Sequence, residues 1–105
     1  ASDVYKRQDI SYLEARDKKI VLHLQKQEFS FYSSLQKLES SLPEYFVRCH
    51  RSYIVNFMFV QKVDLMNSVL YLDKKTVIPI SQKYKAKLVK IFQRNNTENL
   101  LFQPL

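Results

Sequence analysis

Three side chains in this sequence could support nucleophilic chemistry: the thiol of Cys49 and the imidazoles of His23 and His50. A cysteine nucleophile needs a base within hydrogen-bonding reach. Because neighbouring residues of an extended strand point to opposite faces, Cys49 and His50 cannot form such a pair, and His23 could approach only through the tertiary fold. The acidic residues stand singly among basic neighbours, without the spacing of paired catalytic carboxylates. The sequence therefore predicts a buried, inert Cys49 and no enzyme activity.

The basic residues are better organised than these candidates. They gather in three places where the pattern predicts connections between elements: Arg16 to Lys19, Arg48 to Arg51, and Gln82 to Lys87. Basic side chains on loops bind phosphates with release of counterions, and an arginine or lysine in a groove can pair with guanine O6 and N7. Each cluster taken alone could be an ordinary solvated surface. Three of them in one chain favour a polyanionic partner.

The composition points the same way and limits the function classes. The 105 residues include 17 Lys and Arg against 10 Asp and Glu, a formal charge of +7, so nucleic acid and anionic membrane are the obvious partners. No apolar run approaches the roughly 20 residues of a membrane span, and the N-terminus lacks the apolar core of a signal peptide, so we expect a cytoplasmic protein without membrane contact. One Cys and two His predict no metal site, and the absence of glycine excludes glycine-rich nucleotide-binding loops. No cofactor is expected.

The hydrophobic pattern predicts a mainly β domain. Alternating apolar residues from Ile10 to Phe31 predict short strands, separated by polar loops at Arg16 to Lys19 and Gln25 to Gln27. The segment from Phe46 to Asn56 has the composition of a strand but is interrupted by Arg48 to Arg51. Three more strands follow as a meander: Val60 to Leu65, Val69 to Asp73 and Thr76 to Ile80.

Two helices are also predicted. Ser33 is the expected cap of the first, with Gln36 at capping-box spacing, and Pro43 is its expected end. Ser81 is the expected cap of the second. The second helix carries one apolar stripe that should pack on the sheet: Tyr84, Leu88 and Ile91. The residues from Asn95 onward could be a loose end or a strand that docks late.

Three motifs make this sequence similar to LytTR domains, the DNA-binding domains of the LytR/AgrA family of bacterial response regulators. The central string Phe46 to Asn56, FVRCHRSYIVN, resembles the family signature. Asp9 to Ala15, DISYLEA, resembles its opening phrase, and Ile78 to Tyr84, IPISQKY, its closing phrase. The motifs occur in the family's order and spacing, so the resemblance covers about Asp9 to Phe92.

The resemblance implies an elongated, mainly antiparallel β domain of about ten strands in three sheets with short helices. It also implies an effector domain that reads promoter direct repeats in double-stranded DNA through loops inserted in successive major grooves. The resemblance also implies a domain that dimerises on DNA and follows an N-terminal receiver domain. We expect one domain over residues 1–105, with a core at 9–92 and a tail at 93–105.

The resemblance places the base contacts on three loops. The residues expected to read bases are Lys18, Lys19, Arg51, Gln82 and Lys83. Those expected to bind phosphates are Arg16, His50, Ser52, Lys85 and Lys87. For His50 the favoured alternative is a hydrogen bond that fixes the Arg51 loop, and His23 is expected to be a half-buried residue of the sheet. Arg48 is expected to pair with Glu14 or Glu44.

Three departures from the family pattern affect these expectations. Gln82 stands where arginine is frequent, and glutamine suits adenine N6 and N7 better than guanine. The first loop is short, which leaves open whether Asp17, Lys18 or Lys19 takes the base-contacting place. The family's leading strand is poorly matched by residues 1–8. The alternative function is a basic protein-interaction or signalling module without sequence-specific DNA binding.

Overall fold

The computed structural model of the chain describes residues 6–73 and 75–96. Within these residues it contains eight strands, two α-helices and two short 3-10 turns. In chain order the strands and helices are β1 Tyr12–Arg16, β2 Lys19–His23, β3 Glu28–Tyr32, α1 Leu35–Glu39, β4 Phe46–His50, β5 Tyr53–Asn56, β6 Lys62–Asp64, β7 Val69–Tyr71, β8 Val77–Pro79 and α2 Gln82–Asn96. The 3-10 turns are Arg7–Asp9 and Phe57–Phe59.

The strands form two antiparallel sheets, which confirms the predicted mainly β class. The larger sheet has the order β3-β2-β1-β5-β4 and the smaller one the order β6-β7-β8. The described residues thus form eight strands in two sheets, where ten strands in three sheets were expected. One reason is local, since Arg7–Asp9 is a 3-10 turn in which the Lys6 amide donates to the Asp9 carboxylate at 3.1 Å. Residues 7–9 of the expected leading segment therefore do not belong to a strand.

The interrupted strand predicted from Phe46 to Asn56 is a hairpin. β4 and β5 pair antiparallel in a register that sets Phe46 opposite Asn56, and Arg51 and Ser52 form the turn between them. The register shifts between Arg48 and His50, as at a β-bulge. The polar residues that intruded on the apparent strand are therefore the end of one strand and the start of a turn.

The core consists of two clusters on the two faces of the larger sheet. One lies between this sheet, the smaller sheet and α2, and its buried members are Val47, Cys49, Val55, Val60, Val63, Leu70, Leu72, Ile78, Ile80, Leu88 and Phe92. The other lies beneath α1 and consists of Ile10, Leu13, Ile20, Leu35, Phe46 and Ile54. Leu88 is fully buried and Ile91 packs against the first cluster, so α2 packs on the sheet as predicted.

The helix ends differ from the sequence expectations. The hydroxyl of Ser34, not Ser33, caps α1 by accepting a hydrogen bond from the Lys37 amide at 3.2 Å. α1 ends at Glu39, well before Pro43, so it is only five residues long. Ser81 directly precedes α2, but its buried Oγ has no hydrogen-bond partner among the described residues. The prediction that the Ser81 side chain caps α2 is therefore wrong.

The boundary between the core and the C-terminal tail also differs in part from the one expected. α2 continues to Asn96, so residues 93–96 of the expected tail belong to this helix. Residues 1–5 and 97–105 of the expected leading segment and tail lie outside the described residues. Within the described part of the chain, no helix is both long and apolar enough to cross a membrane.

Candidate nucleic-acid interface

The topology of the larger sheet brings the first two basic clusters to the same edge. β1 and β5 are antiparallel neighbours, with Glu14 opposite Tyr53. Just beyond this pair, the Ala15 amide donates to the Ser52 carbonyl at 2.9 Å. The end of β1 thus meets the start of β5. The turn at Asp17 and Lys18 and the turn at Arg51 and Ser52 therefore project from one edge.

The third cluster joins this edge through the start of α2. The Ser81 amide donates to the Cys49 carbonyl at 3.0 Å, which sets Gln82 and Lys83 beside the last residues of β4. From Lys19 on β2 to His50 on β4 there are three interstrand spacings of about 4.8 Å each, or roughly 14 Å. The edge from Lys19 to His50 is therefore comparable in length with the width of a DNA major groove, about 12 Å.

The first turn has an uncommon backbone. Arg16 and Lys19 are cross-strand partners, and the two residues between them, Asp17 and Lys18, have φ angles of 51° and 67°. Two successive left-handed residues define the type I′ turn that two-residue hairpins favour. Both tip residues are exposed, so Lys18 lies at the solvent-accessible tip of the hairpin.

The residues beside this tip have protein partners. Arg16 donates to Glu14 Oε1 at 2.8 Å and lies 3.9 Å from a carboxylate oxygen of Glu28, while half of its side chain stays exposed. The Lys19 ammonium lies 5.0 Å from the centre of the Tyr32 ring, which is a cation–π distance. Lys18 is therefore the basic residue of this turn that is most available to a ligand.

Glu14 and His23 form a structural pair in the sheet. The His23 Nε2 lies 2.9 Å from Glu14 Oε1, and its ring stacks on Tyr12 with 4.0 Å between centroids. Burial opposes ionisation of Glu14, but the hydrogen bonds from Arg16 and His23 outweigh it and lower the carboxyl pKa. The side chain of His23 is only 13% exposed, which confirms its prediction as a half-buried sheet residue.

The second loop is held by Arg48. Its guanidinium donates to the carbonyl of His50 at 2.9 Å, to the carbonyl of Arg51 at 2.7 Å and to Glu39 Oε1 at 2.9 Å. The expected pairing of Arg48 with Glu14 or Glu44 is therefore wrong. The physical reason is that α1 ends beside β4, which brings Glu39 to the guanidinium, whereas Glu14 is bonded to Arg16 and His23.

His50 fixes the same turn from the other side. Its Nδ1 accepts a hydrogen bond from the Ser52 amide at 3.1 Å, and its ring packs edge-on against Tyr53 at 5.6 Å. Burial, followed by the charges of Arg51 and Arg48, lowers the pKa of His50 below its usual value. The imidazole is thus neutral at pH 7 with its proton on Nε2. This geometry supports the loop-fixing alternative, and the phosphate contact of His50 stays a prediction.

The third cluster lies on the first two turns of α2. Gln82, Lys83 and Lys87 are exposed. The Lys83 ammonium lies 5.5 Å from the centre of the Tyr84 ring, and the Arg48 guanidinium lies 5.6 Å from the same ring. Lys85 differs from them because its ammonium donates to the Ser68 hydroxyl at 3.2 Å.

Several residues that support this edge escaped the sequence analysis. Glu39 and Tyr84 link α1, the Arg51 turn and α2 through Arg48, and Ser68 binds Lys85. Their partners lie in other elements, so no spacing rule could reveal them. Asn56 is a further case with a visible signal, since a polar residue ends an apolar strand. It is fully buried, donates to the Ile10 carbonyl at 2.9 Å and accepts from the Met58 amide at 2.9 Å.

The structure shows no arrangement for thiol chemistry around Cys49. The side chain is fully buried, and burial raises its pKa to about 12, so it stays a neutral thiol at pH 7. Its sulfur lies 3.9 Å from the Tyr53 carbonyl oxygen, and the His50 Nδ1 is engaged with the Ser52 amide. The described residues also contain no group of three or more His, Cys, Asp or Glu side chains that could hold a metal ion.

Comparison with known proteins defines the class of domain to which this edge belongs. The family model described as the LytTr DNA-binding domain matches residues 4–93. A solved structure of the LytTr DNA-binding domain of a putative methyl-accepting/DNA response regulator from Bacillus cereus superposes with a TM-score of 0.78. The two sequences are 32% identical, and the match covers 84% of each chain. The chain therefore belongs to the LytTR family of DNA-binding domains.

Particular relatives within the family are the accessory gene regulator proteins A. The protein from Staphylococcus aureus strain N315 is 32% identical over 69 residues, which are 64% of this chain and 29% of the relative. The protein from Staphylococcus epidermidis is 31% identical over 65 residues, which are 60% of this chain and 27% of the relative. The matched part of this chain thus spans less than a third of these relatives.

Proposed function

We propose that this chain is the sequence-specific, double-stranded DNA-binding effector domain of a bacterial transcription regulator, and not an enzyme. The observation that carries the proposal is the gathering of three basic clusters, distant in sequence, on one edge of the molecule. The backbone hydrogen bonds from Ala15 to Ser52 and from Ser81 to Cys49 produce this gathering. Membership of a DNA-binding family supports DNA as the polyanion.

Within this edge, the residues proposed to read bases are Lys18, Lys19, Arg51, Gln82 and Lys83. Arg51 and Lys83 are the proposed principal readers, and both are exposed. The backbone carbonyl of Arg51 is also held by Arg48. A fixed backbone that carries an exposed guanidinium favours bidentate pairing with guanine. Lys19 is the weakest member, since it is half-buried and its ammonium lies over the Tyr32 ring.

The residues proposed to bind phosphates surround these readers: Arg16, His50, Ser52, Lys85 and Lys87. Arg16 keeps half of its side chain exposed despite its ion pairs. Lys87 is exposed on α2, and His50 would donate from Nε2. Such contacts supply affinity and orientation without reading sequence.

The wider assembly is proposed from the relatives. The accessory gene regulator proteins A are longer proteins, of which the matched part of this chain spans less than a third. A receiver domain N-terminal to this chain, binding to promoter direct repeats and dimerisation on the DNA complete the proposal. A module that reads bacterial promoters works in the cytoplasm, where the chromosome lies.

Selection of bound sequences from a random duplex pool tests the proposal. We expect enrichment of one short element, repeated where two copies bind. Arg51→Ala should then weaken binding to that element by about 1 to 3 kcal/mol and leave binding to a scrambled duplex nearly unchanged. Lys75→Gln, a charge loss in the β7–β8 connection at the opposite end of β7, is the control and should change neither. Failure to enrich any element would instead indicate a basic interaction module without sequence preference.

A further inference from the structure

The connection between β6 and β7, residues 65–68, lies on the same edge as the three basic clusters although its sequence contains no basic residue. Ser68 precedes Val69, which pairs with Pro79. The Ile80 amide donates to the Ser68 carbonyl at 2.8 Å, and the next residue, Ser81, reaches Cys49. Backbone hydrogen bonds thus connect this turn to the start of α2 and to the Arg51 hairpin.

One contact joins the turn to the basic face of α2. The Lys85 ammonium donates to Ser68 Oγ at 3.2 Å, and both residues are half-buried. This bond uses one of the three N–H groups of the ammonium and a lone pair of the hydroxyl. The Ser68 O–H and the other N–H groups keep their donor capacity, so two kinds of donor lie side by side at a solvent-accessible point.

The acidic residue next to this turn, Asp64 at the end of β6, is already hydrogen-bonded within it. The Asp64 side chain is almost fully buried and accepts from the Asn67 amide at 3.0 Å and from the Asn67 Nδ2 at 2.7 Å. These hydrogen bonds lower its pKa, so it is an anion whose charge is already engaged inside the turn. An anionic ligand at Ser68 and Lys85 would not face an unpaired carboxylate there.

The backbone of Ser68 adds a second observation. Its φ is 57°, in the left-handed region that glycine adopts without steric cost and serine does not. Serine therefore occupies a position where glycine would strain the turn less. Strain that is kept beside a ligand-binding surface points to a use for the side chain.

We propose that Ser68 and Lys85 together bind one phosphate group of the DNA backbone, which makes the β6–β7 turn a fourth point of contact. The inference rests on the proposed DNA-binding function. Two donors about 3 Å apart suit two oxygens of one phosphate, and hydrogen bonds to a charged acceptor are the stronger ones. The contact does not read sequence, so it adds affinity equally on all duplexes.

Binding to a mixed-sequence duplex of about 30 base pairs, roughly three helical turns, tests the pair separately from sequence recognition. Ser68→Gly removes the hydroxyl and relieves the positive φ, so the variant should fold at least as well as the parent. We expect its affinity to fall about three- to tenfold, since one hydrogen bond is lost. The slope of log affinity against log salt should not change, because no charge is removed.

Lys85→Gln should reduce that slope by about 0.9, the value for one phosphate contact. Lys75→Gln, with the same charge change at the opposite end of β7, is the matched control and should leave the slope nearly unchanged. The losses of affinity caused by Ser68→Gly and Lys85→Gln should be less than additive in the double variant, because the two residues hold the same phosphate.

The outcomes separate this proposal from the proposed function. Parent-like binding of Ser68→Gly, or a slope for Lys85→Gln equal to that of Lys75→Gln, overturns the fourth contact even while Arg51→Ala still loses its selected element. Absence of duplex binding by the unmodified chain overturns both proposals.

Discussion

The guanidinium of Arg48 donates a hydrogen bond of 2.7 Å to the backbone carbonyl of Arg51, so one arginine fixes the turn from which another projects. The same guanidinium binds the His50 carbonyl and the Glu39 carboxylate and lies against the Tyr84 ring. Hydrogen bonds from all three nitrogens of the planar guanidinium, together with one aromatic contact, fix the position of the Arg48 side chain. The position of the proposed reader Arg51 thus depends on α1 and α2, the elements that hold Arg48.

Loss of the Arg48 side chain should destabilise the fold. We expect Arg48→Ala to lower the free energy of unfolding by about 2 to 3 kcal/mol, because two loop carbonyls and Glu39 lose a charged donor. Arg48→Lys should recover only part of this, since an ammonium cannot form the planar fork. Urea denaturation measures both. The control Arg16→Ala removes a half-exposed ion pair and should lower the free energy of unfolding by less than Arg48→Ala does. A larger loss at Arg16 than at Arg48 would contradict the assignment.

Replacement of Lys18 by glycine should separate stability from binding. Lys18 has a φ of 67°, and relief of a left-handed non-glycine residue should raise the free energy of unfolding by about 1 kcal/mol. Affinity for DNA should fall, because the exposed ammonium at the hairpin tip is lost. Lys37→Gly in α1 is the matched control and should destabilise by about 1 kcal/mol. Thermal unfolding shows whether each variant is more or less stable than the parent. A Lys18→Gly variant that is less stable than the parent would contradict the type I′ turn.

Stability should fall as the solution is acidified through the range where His50 titrates. Burial, with help from Arg51 and Arg48, lowers its pKa below the ordinary value of 6.5. The unfolded chain therefore takes up the proton more readily than the folded chain. The contribution of His50 to stability is fully present above about pH 6.5 and is lost as the pH falls toward the lowered folded-state pKa.

The variant that isolates this effect is His50→Asn, whose side-chain oxygen can still accept from the Ser52 amide. Free energies of unfolding at about pH 7.5 and about pH 5.5 should differ more in the parent than in the variant. All other residues are the same in both chains, so the comparison isolates position 50. Equal pH dependence in the two chains would show that His50 does not carry the effect.

Asn56 should be among the polar residues that contribute most to stability. It is fully buried, and its amide satisfies the Ile10 carbonyl and the Met58 amide. We expect Asn56→Ala to lower the free energy of unfolding by about 2 to 4 kcal/mol, because two backbone groups lose their partner away from water. Gln36→Ala, on the exposed surface of α1, is the control. Similar denaturation midpoints for the two variants would argue against a structural role for Asn56.

Sequence reasoning recovered the elements that depend on local pattern. Alternation of apolar residues gave most of the strands, and the apolar spacing on α2 correctly predicted its packing through Leu88. The separate basic clusters were visible because the charge of a short segment is a local property. The interrupted strand was misread since Arg48, Cys49 and His50 have strand geometry and only Arg51 and Ser52 form the turn.

The failures concern contacts between elements. Ser33 and Ser34 are adjacent hydroxyls, and only the entry angle of the chain into α1 decides which one reaches the Lys37 amide. Arg48 was expected to pair with Glu14 or Glu44, but the position of Glu39 at the end of α1 makes it the partner. The link from Lys85 to Ser68 spans 17 positions, and no periodicity relates residues at that distance.

The amino-acid sequence by itself determined the mainly β class, the LytTR resemblance and the location of the basic clusters, because these depend on residue type and short-range spacing. Only the tertiary structure decided that the clusters share one edge, that Arg48 holds the Arg51 turn and that Ser68 lies against Lys85. Each of these depends on strand order and helix docking. Burial of the two core clusters sets that order, and it acts between residues that are far apart in the chain.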